Sequence, residues 1–132
     1  MGVTLYKWLR INRQDIKINI IDPRLKKNDK LCDNAPTFVS VPVGLKSFKQ
    51  DLSIIEESIV KTKENSIIFI RSTVLPNTCD MLSKKYNRLI CSMPEFLTER
   101  RAQEDFDNCE KIIIGRPKGV TVRVADGIFY LV

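Results

Sequence analysis

The sequence predicts an α/β domain built on a doubly wound parallel sheet, and three observations predict it. Short β-branched or aliphatic runs recur at 16–21, 37–41, 66–70, 88–93 and 111–115, and most of their residues are apolar, as in strands buried on both faces. Stretches with helical spacing lie between them, so strand and helix alternate and the strands are expected to run side by side through crossover helices. The runs stop on Asp22, Pro42, Ser72-Thr73, Pro94-Glu95 and Gly115, and ligands of open parallel sheets bind beyond the carboxyl ends of the strands.

Residues 3–10 read as a helix with Leu5, Trp8 and Leu9 on one side and Lys7 and Arg10 in solvent, a helix that lacks its beginning. Residues 16–21 form a β-branched strand that Asp22-Pro23 ends, and a lysine-rich connection follows to about Asn34. The strand at 37–41 stops at Pro42 and Gly44. Leu52, Ile55 and Ile59 then fall at helical spacing within 51–61, with Glu56 and Glu57 turned outward. Residues 66–70 make the next strand. Pro76 opens a helix over 77–86 that places Met81 and Leu82 inward. A fourth strand is expected at 88–93, a loop or tight turn at 94–101, and a fifth strand at 111–115. The stretch 120–132 is readable as a strand by its β-branched residues, or as a helix with Val120, Val124, Ile128 and Leu131 on one side.

A chain of 132 residues fits one domain, here 1–132, and its 43% hydrophobic and 29% charged residues are those of a globular protein. The net charge of +6 is spread over small clusters such as Lys26, Lys27 and Lys30. No zinc-finger spacing, aromatic ribonucleoprotein motif or basic helix accompanies them, so solvated surface is preferred to nucleic-acid binding, and an anionic small molecule explains local basicity equally well. Four irregularly spaced cysteines and no histidine argue against zinc. The longest aliphatic runs are strand-sized, so neither a membrane span nor a secretory signal is expected. Gly2 does not open an acylation signal, because Tyr6 stands where Ser or Thr is wanted. Reduced thiols in a cytoplasmic protein are expected.

Three constellations could carry chemistry. An acid closing a strand, such as Asp22, either accepts hydrogen bonds from the ribose hydroxyls of a dinucleotide or caps the turn that follows. Ser72 and Thr73 put two hydroxyls at a strand end, where they could hold water, a ribose or an amide, or cap the next helix. Glu95 and Glu99 flank Phe96 and Leu97, and partial burial there suits acid or base work, against which stands an ordinary solvated loop.

Four ordered motifs carry a resemblance. Ser72-Thr73-Val74-Leu75-Pro76-Asn77-Thr78, then Pro94-Glu95-Phe96-Leu97-Thr98-Glu99, then Ala102-Gln103-Glu104-Asp105-Phe106-Asp107-Asn108, then Ile112-Ile113-Ile114-Gly115 resemble the UDP-glucose/GDP-mannose 6-dehydrogenase family. Its matching stretches read STVPPGT, PEFLREG, A-x-EDF-x-NP, and an arginine before three aliphatic residues and glycine. Upstream, Phe38-Val39-Ser40-Val41-Pro42 is similar to its strand ending in VPTP, residues 16–22 to its ribose-binding strand, and Gly2 to the closing glycine of its GxGYVG.

The resemblance implies a Rossmann-like fold incomplete at the N-terminus, with the first strand missing. It implies NAD as cofactor, and oxidation of a nucleotide sugar of the UDP-glucose or GDP-mannose class to a carboxylate by two hydride transfers through a thiol-linked intermediate. By resemblance Thr73 positions the reacting water or hydroxyl and Glu95 gives acid/base assistance. Phe96, Leu97, Thr98 and Glu99 line the sugar nucleotide, and Gly2, Asp22, Lys27, Val41, Pro42, Thr73 and Glu99 meet NAD.

Departures from the pattern qualify this. Val43-Gly44 replaces the last two residues of VPTP, Arg100 stands where the family has glycine, and the connection from Asp22 to Thr37 is too short for the family's helix. No segment resembles the family's GxCFPKD nucleophile motif, so the central helix and the cysteine-bearing, UDP-binding domain are expected to be absent, and without a thiol the covalent step cannot proceed. The leading expectation is a fragment inactive alone. A module that binds NAD or a nucleotide sugar without catalysis, and a nonfunctional remnant, are the alternatives. A missing first strand would leave strand edges open, so a homo-oligomer or a complementing chain is expected as partner.

Overall fold

The structure is a computed structural model that describes residues 2–95, 99–109, 112–118, 122–125 and 128–131. It opens with helix α1 (Gly2–Asn12), one residue longer at its start and two at its end than the apolar spacing of 3–10 predicts. The expected strand at 16–21 is not formed as such. Only β1 (Ile21–Asp22) is extended and paired, and its partner is β2 (Lys27–Asn28), antiparallel, with Asp22 opposite Lys27. The reason is local. Ile20 N–H donates to the Asp29 carboxylate at 2.9 Å, Asp29 N–H donates to Ile20 C=O at 2.9 Å, and the Asn19 amide donates to Lys30 C=O at 2.5 Å. The backbone of this arm is thus consumed by its own return stretch.

β3 (Thr37–Val39) begins the parallel sheet. Before the first crossover helix the chain makes a hairpin, β4 (Gly44–Lys46) and β5 (Lys49–Asp51), which the sequence did not announce. Its two turn residues, Ser47 and Phe48, both sit in the left-handed region, at φ of 50° and 62°. Two-residue hairpins need that geometry and usually declare it with Asn-Gly or Asp-Gly, a signal missing here. The hairpin takes the first residue of the expected helix, so α2 spans Ser53–Lys61, with the Asp51 carboxylate accepting Ser53 N–H at 3.0 Å.

β6 (Ile68–Ile70), α3 (Thr78–Tyr86) and β7 (Ile90–Ser92) follow, β6 and α3 shortened at their starts and β7 at both ends; Leu82 is buried as expected, whereas Met81, expected inward, is 49% exposed. Asn87 closes α3 in the left-handed conformation, a position asparagine tolerates. A 3₁₀ turn at Glu99–Arg101 leads into the short helix α4 (Ala102–Asp107), which the expected loop at 94–101 did not foresee. The fifth strand reduces to one antiparallel bridge between Ser92 and Gly115, with N–H···O distances of 2.7 and 2.8 Å, and Lys111 lies outside the described residues. A Cβ at Gly115 would come within 3.3 Å of the Ser92 Cβ, so glycine permits this approach. Of the ambiguous stretch 120–132, the described parts form an antiparallel hairpin of β8 (Val122–Ala125) and β9 (Ile128–Leu131), the strand alternative.

The parallel sheet has the order β3-β6-β7, with Phe38, Phe69 and Cys91 level across it. Alternation then sends Val39, Ile68, Ile70 and Ile90 to one face, where they pack with Ile55 and Ile59 of α2 and Leu82 of α3. The opposite face carries Phe69, Cys91 and Met93, with Phe38 stacked on Phe69 at 5.2 Å and Ile114 against the cluster. Apolar residues on both faces explain why these strands read as continuous runs. A Lys85–Glu56 ion pair at 2.6 Å joins the two helices on the outside. Each fully buried aliphatic side chain contributes roughly 1.5–3 kcal/mol. Phe69, wholly buried, fills the second face. Phe69→Ala is expected to lower the unfolding free energy by about 3–5 kcal/mol, read from the urea midpoint, and a loss under about 1 kcal/mol would show that this face is not a core.

Candidate functional site

The carboxyl ends of β3, β6 and β7 form one rim, and hydrogen bonds tie them together. Ser72, buried just past β6, accepts Val41 N–H at 3.1 Å and donates its hydroxyl to Val41 C=O at 2.5 Å. Its hydroxyl is therefore a clamp across two strand ends. It does not cap α3, whose N-cap is Asn77 with no side-chain bond. Thr73 is exposed beside it. The Gln50 amide of β5 donates to Thr73 C=O at 3.3 Å and accepts Leu75 N–H at 2.8 Å, which holds the Thr73 loop against the hairpin. Val41 and Pro42 follow β3 at the same rim, Val41 half-buried and Pro42 exposed.

The start of α1 meets this rim. A Cβ added to Gly2 would lie 3.2 Å from the Ser40 Cβ, tighter than side chains normally pack, so the helix approaches the strand end because residue 2 is glycine. No acidic side chain occupies the first turn of α1, and the unpaired N–H groups there favour an anion.

Glu95, two residues past Met93, is the acid at the end of β7. Its side chain is 3% exposed, and it meets the guanidinium of Arg71, itself 2% exposed, through Oε1 and Nη2. Burial pushes the Arg71 pKa below the usual arginine value, while the charge and hydrogen bonding of Glu95 oppose that shift. The guanidinium carbon lies 5.7 Å from the centre of the Phe106 ring of α4, and Phe106 meets Trp8 of α1 edge-on at 6.1 Å. The hollow between α1 and α4, lined by Tyr6, Lys7, Arg10, Ile11, Gln103 and Asp107, does not include either member of the pair.

Asp22 and Lys27 stand opposite each other, but on the β1-β2 hairpin and off the parallel sheet. The Asp22 carboxylate accepts Arg24 N–H at 2.8 Å, which is the turn-capping alternative. Phe96, Leu97 and Thr98 lie outside the described residues, and Glu99 is described only by its backbone, in the 3₁₀ turn. A Cβ at Gly44 would meet nothing within 4 Å, so no close approach requires glycine at that position.

Sequence reasoning did not single out Arg71, Gln50 or the Trp8–Phe106 contact. The arginine carried a signal. It follows Ile-Phe-Ile in a run buried on both faces, and a cation there needs an anion, which the end of the neighbouring strand supplies in Glu95.

A parallel sheet with helices on it, a glycine-led helix at its rim and polar groups at the strand ends define a Rossmann-like α/β domain. Comparison with known proteins gives the family. The model of the UDP-glucose/GDP-mannose dehydrogenase family, NAD binding domain, matches residues 12–131, and the chain belongs to that family through that domain, whose cofactor is NAD. It is 35% identical over 98 residues to a UDP-glucose 6-dehydrogenase of Rickettsia bellii, covering 67% of this chain and 23% of the relative. A second UDP-glucose 6-dehydrogenase, of Rickettsia felis, is 33% identical over 98 residues, with 67% and 22% covered. The chain thus spans under a quarter of the length of these relatives. Among solved structures, a ternary complex of GDP-mannose dehydrogenase from Pseudomonas aeruginosa superposes with a TM-score of 0.51 at 24% identity, covering 63% of this chain and 23% of that one, and it shares the fold.

Two outcomes are expected here. Arg71→Met and Glu95→Gln should each cost about 3–5 kcal/mol, because each strands a buried partner, and the double variant should cost less than their sum. Strictly additive losses in denaturant melts would show that the two side chains are not coupled. The second concerns the thiols. Burial, foremost, pushes Cys79 and Cys91 up to about 11, with the charge of Asp80 adding at Cys79. At pH 8 such a thiol is ionised to roughly one part in a thousand. An alkylating reagent should therefore take exposed Cys32 and Cys109 first, and the rate at Cys79 should rise about tenfold per pH unit toward 10. Four equal rates in the native protein would contradict this.

Proposed function

We propose that this chain holds the cofactor for a nucleotide-sugar 6-dehydrogenase reaction of the UDP-glucose or GDP-mannose type. What supports the reading is that Val41-Pro42, Thr73 and Glu95 each follow the carboxyl end of a parallel strand, with Gly2 of α1 against Ser40, in a domain belonging to that family. In this reading the N–H groups of α1 meet the diphosphate of NAD, with Gly2 leaving room, and Val41, Pro42, Thr73 and Glu99 border the dinucleotide. Asp22 and Lys27 receive its ribose end from their hairpin. When bound, NAD supplies the hydride acceptor.

The nucleotide sugar is proposed to lie along Phe96, Leu97, Thr98 and Glu99. Thr73 offers its hydroxyl from an exposed position, and Glu95 assists the proton transfers of the hydrolytic step. The thiol-linked step is assigned to none of the four cysteines, since none stands in a segment resembling the family's nucleophile motif, and burial keeps Cys79 and Cys91 largely protonated at neutral pH. Accordingly we expect the 132-residue chain to bind NAD and not to complete the oxidation alone. A reducing compartment such as the cytoplasm, with free thiols, belongs to the same proposal. Among the described residues, no helix is long and apolar enough to cross a membrane. Association with a second copy or with a complementing chain belongs to the same proposal.

Titration with NADH, followed by its fluorescence, tests the reading. Saturable binding that Gly2→Val and Asp22→Ala both weaken is the expected result. Absence of binding at millimolar NADH would reject the cofactor role, and NADH production from UDP-glucose by the isolated chain would reject the incompleteness.

A further inference from the structure

No sequence motif assigns Arg71 a role, yet it is held from three directions. Its N–H donates to Val39 C=O of β3 at 2.9 Å, the preceding Ile70 C=O accepts the N–H of Met93, just past β7, at 2.8 Å, and its guanidinium lies beneath Phe106. Both neighbouring strands thus locate its backbone, and an aromatic ring from α4 closes over its head. The same ladder locates Met93, two residues before Glu95, so acid and base are delivered to the same face by the sheet itself.

An ion pair that served only to hold the fold would have its other donors and lone pairs satisfied, since each buried group left bare costs stability. This pair does not. Arg71 Nε and Nη1 and Glu95 Oε2 are buried without a hydrogen-bond partner among the described residues. The contact through Nη2 and Oε1 thus leaves two donors and an acceptor in one enclosed place. A hydroxyl or a water, which offers a lone pair to the guanidinium and a proton to the carboxylate, is the smallest chemistry that meets both demands.

We propose that Arg71 is the positioning residue for Glu95: it fixes the carboxylate at the rim, and the two together take one hydroxyl-bearing group between them. The proposal deepens the reading of the rim as an oxidation site and rests on it for the identity of the hydroxyl, but not for the pairing. Through Phe106 and Trp8, the position of Glu95 is also tied to the helix whose head cradles the cofactor.

Nuclear magnetic resonance on the full chain tests it, with ¹³C in glutamate carboxyls and ¹⁵N in arginine side chains. Glu95 is assigned by the signal lost in Glu95→Gln, and Arg71 by the signal lost in Arg71→Lys. The expected result is a slowly exchanging Arg71 Nε–H with cross-relaxation to a water or hydroxyl proton. Arg71→Lys, which keeps the charge but not the fork, should displace the Glu95 carboxyl resonance while leaving the other glutamates in place, and Arg71→Met should displace it further. An Arg71 Nε–H that exchanges as fast as surface arginines, or a Glu95 resonance indifferent to Arg71→Lys, would overturn the proposal. Should Arg71→Met fail to fold, the wild-type and Arg71→Lys spectra decide alone. Failure to bind NADH leaves these signals readable, so loss of the cofactor reading and loss of the positioning pair are distinguishable.

Discussion

The register of β3, β6 and β7 governs what reaches the rim. Because side chains alternate along a strand, a slip of β6 by one residue would exchange its faces. Arg71 would then enter the cluster of Ile55, Ile59 and Leu82, and Ser72 would turn away from Val41. Both outcomes are costly, one burying a cation among aliphatic residues and the other releasing two backbone groups. The apolar content of the strands sets the register, and the register sets the chemistry at their ends.

The two faces of the sheet have different duties. Against one, α2 and α3 provide an aliphatic layer whose outer edge is braced by Glu56 and Lys85. Against the other, the layer near the rim is part apolar and part ionic: Met93 and Phe69 continue into Arg71 and Glu95, and α4 covers the charge with Phe106. α1 meets Phe106, the ring over the ion pair, through Trp8 and meets the strand end at Ser40 through Gly2. The β1-β2 arm is organised differently. Its polar groups bond to one another, and it presents Asp22 and Lys27 from outside the parallel ladder.

The central strands and helices were legible because their cause is local. Runs such as Ile67-Ile68-Phe69-Ile70 and the spacing of Leu52, Ile55 and Ile59 record burial directly in residue order. The family was legible for a similar reason, since its motifs are short ordered strings whose match does not require knowing what they touch. Of the candidate site, the strand-end positions of Val41, Pro42, Thr73 and Glu95 could be located. Elements that escaped had nonlocal or unsignalled causes: the β4-β5 turn uses left-handed Ser47 and Phe48 in place of glycine or asparagine, and residues 16–20 are β-branched enough to read as a strand while the bonds of Asn19 and Ile20 go to Lys30 and Asp29.

By itself, then, the sequence determined the alternating α/β plan, the direction in which the sheet opens and the family to which it is kin, because hydrophobic periodicity and contiguous motifs are written along the chain. Only the tertiary structure decided that Ser72 clamps Val41 instead of capping a helix, that Asp22 closes its own turn on a separate hairpin, and that Arg71 faces Glu95 beneath Phe106. Each of these joins residues from different elements or chooses between two locally acceptable hydrogen bonds. That choice depends on which groups the packed sheet leaves within reach, a quantity no stretch of residue order contains.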